Sequence, residues 1–217
     1  MKNALIDKSK TALVVIDLQK GIVGRQTAPY ASDIVVKNTA ALAEAFRKND
    51  MPVFLVRVTP SPDGKDTLRP IADAPMQAQT PPSDWADIVP ELGPKPGDFV
   101  ITKHQWGAFY GTELDLELRR RGMATIVLCG IATNIGVEST ARFAYEYGYK
   151  PDGRYCFRLA RTLAPPILVS AAWICRTGGV WLVSTSSARP DQLIRSADRI
   201  KQNDRHKKAP ALSYFWH

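Results

Sequence analysis

The sequence of 217 residues predicts a three-layer α/β fold, in which a doubly wound, mainly parallel sheet carries helices on both faces. Two observations support this fold class. Short apolar runs rich in β-branched residues alternate with segments whose apolar residues recur at helical spacing. The runs also lack the polar alternation of half-exposed strands, which is typical of strands buried on both faces of a parallel sheet. The length fits one large domain over residues 1–217, with two small domains as the alternative, and the apolar content of 45% is typical of a globular protein.

The first strand and the first long helix are predicted in the N-terminal part of the chain. The run Thr11–Ile16 predicts a buried strand, and Asp17 follows directly at its carboxyl end. A loop then leads to Ser32 or Asp33, either of which can cap a helix over about Ile34–Asn49. Apolar residues fall on one side of this helix, so we expect it to pack against the sheet.

The second predicted strand, Val53–Val58, precedes a long irregular segment. Thr59–Gly97 is rich in proline and poor in periodicity, with a helical turn predicted near Asp84–Val89. Loops of this length inside a compact domain usually carry function or lie on the surface. We therefore expect the segment to cover the mouth of a site and to set its specificity.

The third predicted strand, Asp98–Thr102, places Lys103 at its carboxyl end. Thr112 is predicted to cap a helix that runs to about Arg121, and Gly122 ends this helix. The loop between the strand and the helix contains three aromatic residues, which can form either a substrate wall or part of the core. Their position beside the lysine favours the wall. They are Trp106, Phe109 and Tyr110.

The fourth predicted strand and its helix form the most informative stretch of the chain. Thr125–Cys129 is a short apolar strand that ends at Gly130. Thr133 or Asn134 can cap the next helix, whose apolar residues recur from Val137 onwards. A strand that turns directly into a helix brings backbone N–H groups to one point, which favours a substrate oxygen. An ordinary strand-to-helix connection is the alternative interpretation.

Three of these features follow the carboxyl ends of predicted strands. They are Asp17, Lys103 and the connection Ile131–Gly136. In doubly wound sheets ligands bind at these ends, so we expect the three features to form one site. There the carboxylate and the lysine would shift each other's pKa, and the carboxyl group could transfer a proton during hydrolysis. The alternative is a structural ion pair.

Composition argues against several classes of protein. No apolar run reaches the length of a membrane span, and the N-terminal residues lack the apolar core of a signal peptide. We therefore expect a cytoplasmic protein without a membrane partner. The cysteines Cys129, Cys156 and Cys175 show no metal-ligand spacing, and their odd number argues against a disulfide framework. Cys129 is expected to be a small buried hydrophobe.

The net charge of +8 belongs to the C-terminal part of the chain. Residues 1–150 contain 18 Lys and Arg against 17 Asp and Glu, whereas residues 151–217 contain 11 against 4. The basic residues of the second segment are scattered and match no nucleic-acid-binding motif. We therefore expect no nucleic-acid partner, and steeply salt-dependent binding of DNA or RNA would contradict this expectation.

Three blocks of sequence surround the residues of the expected site: TALVVIDLQKGI, VITKHQWGAFYGTELDLELRRRG and TIVLCGIATNIGVESTARFAYEYGY. In this order they resemble the isochorismatase-like, or cysteine-hydrolase, superfamily, which includes isochorismatases, nicotinamidases and carbamoylsarcosine amidases. The resemblance covers about residues 9–149. It implies an active-site aspartate at Asp17, a lysine at Lys103, and a non-proline cis peptide bond between Ile131 and Ala132.

The chain departs from the amidase pattern at one position. Amidases of the superfamily have a nucleophilic cysteine near the start of the helix, and the aligned residue here is Gly136. True isochorismatases also lack this cysteine, and the resemblance to them implies that the aspartate protonates a vinyl-ether carbon before water adds. The resemblance therefore implies Asp17 as general acid and Lys103 as its charge partner. The substrate-binding residues are expected to be Gln19, Trp106, Phe109, Tyr110, Ile131, Ala132, Thr133, Asn134 and Gly136.

Nicotinamidases of the superfamily also bind a metal through Asp and His residues after the second strand. Here that region reads RVTPSPDGK, without a histidine. The histidines of the chain are His104, His206 and His217, so we expect no metal site and no cofactor. His104 is expected to be a structural residue or to lie at the rim of the pocket.

The resemblance ends after Tyr149, where the family supplies another strand, an acidic residue, a helix and a final strand. Residues 151–217 are instead basic and free of glutamate, although Ile167–Cys175 and Val180–Ser184 are apolar enough for strands or a helix. Two explanations stay open. The tail is a genuine divergent segment, or the source gene has a shifted reading frame, because codons for Pro151–Cys156 can spell a buried strand when read one base later.

The sequence therefore predicts an isochorismatase-like hydrolase of a small polar or carboxylated molecule, without a thiol nucleophile. The alternative is a non-catalytic small-molecule-binding relative, or a defective gene product that retains the pocket residues. Exposed sheet edges and the resemblance favour a homo-oligomer, because an unpaired edge strand can pair with another chain.

Overall fold

The computed structural model describes residues 7–27, 30–68, 81–149 and 180–182. Five strands lie in these ranges and form one parallel sheet: β1 (Thr11–Ile16), β2 (Val53–Val58), β3 (Phe99–Lys103), β4 (Thr125–Gly130) and β5 (Val180–Leu182). Their order across the sheet is β3-β2-β1-β4-β5. The chain winds outward from β1 to β3 and then crosses to the other side of β1. The junction of β1 and β4 is therefore the topological switch point, where such sheets bind ligands.

Four α-helices lie in the described ranges: α1 (Lys20–Val23), α2 (Ser32–Arg47), α3 (Leu114–Arg120) and α4 (Glu138–Glu146). A 3₁₀ turn, Lys8–Lys10, precedes β1, and a π turn, Thr133–Val137, leads from β4 into α4. Within the part of the chain that the structure describes, no helix is long and apolar enough to cross a membrane.

The helices pack on both faces of the sheet. Successive side chains of a strand point to opposite faces, so β1 contributes to two separate clusters. Leu13 and Val15 pack with α2 on one face. Val14 and Ile16 pack with α3 and α4 on the other. Every residue of β1 and β4 is buried, which confirms the predicted three-layer α/β fold with strands covered on both sides.

Most strand boundaries agree with the sequence pattern, and β1 and β2 agree residue for residue. β3 begins one residue later than predicted and includes Lys103. β4 includes Gly130, which the pattern placed beyond the strand. Gly130 has a φ of +133°, and a Cβ built there would lie 2.0 Å from the carbonyl oxygen of Ile16. The close approach of β1 to β4 therefore requires glycine, and this contact is invisible in the local sequence.

The predicted cap of α2 is wrong. The helix begins at Ser32, two residues before the predicted start, and its N-cap is Ala31 without a side-chain cap hydrogen bond. The hydroxyl of Ser32 instead donates to the carbonyl oxygen of Val23 at 2.6 Å. Asp33 lies in the first turn of the helix, where its charge complements the helix dipole.

The caps predicted for the two later helices also need correction. Neither Thr133 nor Asn134 caps the chain after β4, because the N-cap of the π turn is Ala132, which makes no side-chain cap hydrogen bond. The N-cap of α3 is Glu113, although the hydroxyl of Thr112 accepts a hydrogen bond of 3.3 Å from the backbone N–H of Leu114. A π turn connects β4 to α4, and the sequence patterns of helix caps do not predict such a turn.

The described parts of the long segment between β2 and β3 pack onto the domain. Residues 83–86 form the turn that was predicted near Asp84–Val89, and Ile88 pairs with Gln19 in an antiparallel bridge. Val89 and Leu92 are buried in the cluster beneath α2. This part of the segment therefore anchors α1 to the core.

The C-terminal part of the chain contributes β5 to the description. This strand lies inside the predicted stretch Val180–Ser184 and pairs with β4, with Val180 opposite Ile126. The stretch Ile167–Cys175 and the alternative reading of Pro151–Cys156 lie outside the described residues.

Candidate active site

A cavity of about 190 Å³ lies at the carboxyl ends of β1, β2, β3 and β4, at the switch point of the sheet. It is smaller than the roughly 300–1,000 Å³ that is usual for drug-sized ligands, so it fits a small molecule. Apolar side chains dominate its wall, and three charged residues join them. The lining residues are Asp17, Ile22, Arg25, Thr27, Val58, Lys103, Gln105, Trp106, Ile131, Ala132 and Ile135.

Asp17 follows β1 in the left-handed backbone region, with a φ of 54°. Its backbone N–H still donates a hydrogen bond of 2.9 Å to the carbonyl oxygen of Val56 in β2. The chain therefore leaves the sheet at Asp17 itself. Aspartate tolerates this conformation better than most residues, and such backbone strain is concentrated at functional sites. The residue is 6% exposed.

The two carboxylate oxygens of Asp17 have different surroundings. Oδ2 accepts a hydrogen bond of 2.8 Å from Nζ of Lys103, whereas buried Oδ1 has no hydrogen-bond partner among the described residues. Burial raises the pKa of the Asp17 carboxyl from its ordinary value of 3.8 to about 6, although the charge and the hydrogen bond of Lys103 lower it. The carboxyl group can therefore take up and release a proton near neutral pH.

Lys103, the last residue of β3, is 1% exposed. Its ammonium group has three N–H donors, and all three are used. They reach Oδ2 of Asp17 and the carbonyl oxygens of Gln105 at 3.1 Å and Trp106 at 2.7 Å. The lysine thus orients the aspartate and holds the loop after β3, and it has no donor left for a substrate in this arrangement.

The connection after β4 forms the opposite wall of the cavity. The peptide bond between Ile131 and Ala132 is cis, as the resemblance implied, and both residues line the cavity. Gly136 faces the ion pair, because a Cβ built there would lie 3.0 Å from Oδ2 of Asp17 and 3.3 Å from Nζ of Lys103. Any side chain at position 136 would therefore contact both charged groups.

The other residues expected in this connection do not line the cavity. Thr133 is half-buried, and its hydroxyl has no hydrogen-bond partner among the described residues. Asn134 is exposed. Within the π turn, Ile135 lines the cavity instead, although sequence reasoning did not name it as a substrate-binding residue.

Gln19 and two of the three aromatic residues are also placed elsewhere. The buried amide of Gln19 bonds the backbone of Val58 through both its nitrogen, at 2.9 Å, and its oxygen, at 2.8 Å, so it joins the ends of β1 and β2. Phe109 is buried in the core, and its ring contacts that of Tyr149. Tyr110 is 68% exposed and does not line the cavity. Trp106, the third aromatic residue, lines its rim.

Sequence reasoning missed several lining residues. Arg25 and Ile22 follow Asp17 closely, and Gln105 lies two residues after Lys103, so nearness to the predicted pair was an available signal. Thr27 and Val58 carried no such signal, whereas Ile135 lies inside the connection Ile131–Gly136 that was expected at the site. The described parts of Thr59–Gly97 do not line the cavity, and residues 69–80 of this segment lie outside the described residues, so its role at the mouth of the cavity stays a prediction.

His104 has a structural role beside the cavity. Its Nδ1 lies 2.5 Å from the carbonyl oxygen of Thr59 and 3.1 Å from Oδ2 of Asp66. It therefore ties the loop after β2 to the end of β3. Over the described ranges, no group of three or more His, Cys, Asp or Glu side chains could hold a metal ion.

Comparisons with known proteins agree with this architecture. Residues 11–151 match the Isochorismatase domain family. The chain is 55% identical over 153 residues to the uncharacterized isochorismatase family protein YwoC of Bacillus subtilis, which corresponds to 69% of this chain and 78% of that protein. It is 34% identical over 169 residues to ureidoacrylate amidohydrolase RutB of Pantoea ananatis, covering 64% and 65%. An isochorismatase family structure from Burkholderia thailandensis aligns with a TM-score of 0.64 and 49% identity, covering 69% and 78%.

Proposed function

Because the chain belongs to the isochorismatase family of hydrolases, we propose that it hydrolyses a small polar or carboxylated molecule in the cavity at the switch point. Asp17 acts as the general acid, Lys103 orients it, and no cysteine nucleophile takes part. The backbone of Ile131 and Ala132, which line the cavity, binds a substrate oxygen.

The proposal rests on the protonation state of the Asp17 carboxyl group. Lys103 occupies Oδ2, so we assign the transferable proton to Oδ1, which has no hydrogen-bond partner among the described residues. A carboxyl group with a pKa of about 6 holds a proton at mildly acidic pH and can donate it to a substrate. Both oxygens belong to a residue that lines the cavity.

A vinyl ether illustrates the reaction. Asp17 donates its proton to the terminal vinyl carbon, and the adjacent carbon that bears the ether oxygen becomes electron-poor. Water adds to that carbon, and the proton that the water loses returns to Asp17. The resulting hemiketal separates into an alcohol and a carbonyl compound, so the net change is addition of one water molecule across the ether bond.

Two observations support a mechanism without a thiol. Position 136, which faces Asp17 and Lys103, is a glycine and supplies no side chain. Cys129 is buried in β4, where desolvation raises the pKa of its thiol to about 12, so it is not a thiolate near neutral pH. Cys156 and Cys175 lie outside the described residues.

The first test is a turnover screen of the purified protein against isochorismate and a panel of small vinyl ethers and amides. Asp17→Asn keeps the shape of the side chain but removes the proton donor, so kcat should fall about 10²- to 10⁴-fold on any substrate found. Asp33→Asn, an exposed change in the first turn of α2, is the control and should keep full activity.

Full turnover by Asp17→Asn would exclude the general-acid mechanism. A folded protein without activity on any member of the panel would favour the alternative, a binding relative or a defective gene product. Homo-oligomer formation and a cytoplasmic location stay predictions. Light scattering coupled to size-exclusion chromatography tests the first, and cell fractionation tests the second.

A further inference from the structure

Arg25 is the third charged residue at the cavity, and the proposed chemistry does not use it. It follows α1 in the loop toward α2, is exposed, and lines the cavity together with Asp17 and Lys103. The charges of Asp17 and Lys103 offset each other at 2.8 Å. The guanidinium group of Arg25 forms no hydrogen bond or ion pair with any described residue, so among these residues its positive charge is uncompensated.

Many exposed arginines contribute only to solubility, but Arg25 lines a cavity whose wall is mainly apolar. Ile22, Val58 and Ile135 line the same cavity, and the exposed Trp106 lines it as well. A guanidinium group presents paired N–H donors that match the two oxygens of a carboxylate. The cavity therefore combines an anion-binding group with room for a compact apolar body.

We propose that Arg25 binds a carboxylate group of the substrate, and that the substrate is a small organic anion whose apolar part lies against Ile22, Ile135 and Trp106. This inference rests on the proposed function, because it takes the cavity around Asp17 to be the active site. It narrows the substrate class from small polar molecules in general to carboxylates, and it makes Arg25 a specificity-determining residue.

A bound anion would also favour the acid form of Asp17. Among the described residues that line the cavity, the charged groups are Asp17, Lys103 and Arg25. When Asp17 is ionised, the bound anion faces two cations and a carboxylate that repels it. When Asp17 is protonated, this repulsion is removed and the two cations remain. Anion binding and proton uptake by Asp17 therefore support each other, so the substrate itself would help to load the general acid.

Binding of two nearly isosteric probes, benzoate and benzamide, tests the inference without any need for turnover. Dissociation constants are measured by ligand-observed NMR titration for the wild type, Arg25→Gln and Arg120→Gln. Arg120 is exposed on α3 and does not line the cavity, so its variant matches the change in charge. The wild type should prefer benzoate. Arg25→Gln should weaken benzoate about 10- to 100-fold and leave benzamide within about twofold, whereas Arg120→Gln should change neither.

Three results would overturn the inference: no benzoate binding by the wild type, equal binding of the two probes, or equal loss in both variants. Turnover separates this outcome from failure of the proposed function. Hydrolysis of uncharged substrates by a wild type that does not select benzoate leaves the hydrolase standing and removes the role of Arg25. Selective, Arg25-dependent benzoate binding without any turnover supports the anion site and contradicts the hydrolase.

Discussion

At the scale of single residues, the site depends on two opposing effects on one carboxyl group. Burial of Asp17 disfavours its charge and raises its pKa, and Lys103 favours the charge and lowers the pKa. Burial has the larger effect, so the pKa settles at about 6 rather than near 4. A carboxyl group at this value is protonated in part of the molecules near neutral pH, which suits an acid catalyst.

This balance predicts how activity depends on pH. A general acid acts in its protonated form, so kcat/KM should be highest well below pH 6 and should fall about tenfold per pH unit above it. The measurement is a pH–rate profile of the wild type on a substrate from the screen. Activity that rises from pH 6 to pH 8 would instead indicate that Asp17 acts as a base.

Substitution of Lys103 tests the second effect, the lowering of the pKa of Asp17 by the lysine. Lys103→Met takes away both interactions that lower the pKa of Asp17 and leaves burial, so the midpoint of the profile should move upward by about one unit or more. The rate should also fall, because the aspartate loses its orienting bond. Lys37→Met, an exposed change on α2, should leave the profile unchanged.

An inactive Lys103→Met protein still answers the question. Its Asp17 carboxyl can be titrated by carbon NMR, by comparison with the Asp17→Asn spectrum. A titration midpoint at or below that of the wild type would show that the lysine does not lower the pKa of Asp17 in the folded protein.

At the scale of the elements, the closeness of β1 and β4 determines where the site forms. The strands pair along their whole length, with Ile16 opposite Gly130, and the backbone N–H of Ile131 donates to the carbonyl oxygen of Ile16 at 3.0 Å. This contact brings the wall formed by residues 131 and 132 beside Asp17. The absence of a side chain at Gly130 makes the contact sterically possible.

Gly130→Ala should therefore be severely destabilising. The new Cβ would lie 2.0 Å from the carbonyl oxygen of Ile16, so β1 and β4 must move apart, at a cost of more than about 3 kcal/mol in the free energy of unfolding. Gly122→Ala is the control, because Gly122 also has a positive φ of +67° but open space around its Cβ position. It should cost about 1–2 kcal/mol.

Urea denaturation of both variants measures the difference. The steric clash, and not the positive φ, is responsible if Gly130→Ala loses clearly more stability than Gly122→Ala. Equal losses would mean that the backbone conformation alone explains the glycine at position 130.

At the scale of the whole molecule, the sheet continues beyond the segment that matches the family. The family match ends at residue 151, yet β5 at Val180–Leu182 pairs with β4 along three residues. β4 bears the wall of the site, so its outer edge matters for the site as well as for the fold. An unpaired edge leaves backbone N–H and C=O groups open to association with other chains.

Deletion of residues 150–217 should therefore lower the Tm and the soluble yield more than deletion of residues 183–217, which keeps β5. Differential scanning fluorimetry and soluble yield provide the comparison. Identical values for the two deletions would show that β5 does not stabilise the sheet. Sequencing of the source DNA separately decides whether residues 151–217 follow the original reading frame.

The amino-acid sequence by itself determined the α/β fold class, two strands to the residue, and the placement of Asp17 and Lys103 at the carboxyl ends of strands of one sheet. These features follow from local chemistry, because a strand buried on both faces must be continuously apolar and its parallel neighbours end at one edge. The three blocks of the resemblance added the cis peptide bond between Ile131 and Ala132, which the structure contains.

Only the tertiary structure decided which side chains face the cavity. Phe109 and Tyr110 share a loop with Trp106, yet one is in the core and one faces solvent, because rotation of a single loop residue changes what its side chain contacts. Arg25 lines the cavity because the chain folds through α1, and the amide of Gln19 hydrogen-bonds the backbone of β2. Such contacts join residues distant in sequence, so no local pattern records them, and the balance between burial and Lys103 that raises the pKa of Asp17 arises only when the strands meet.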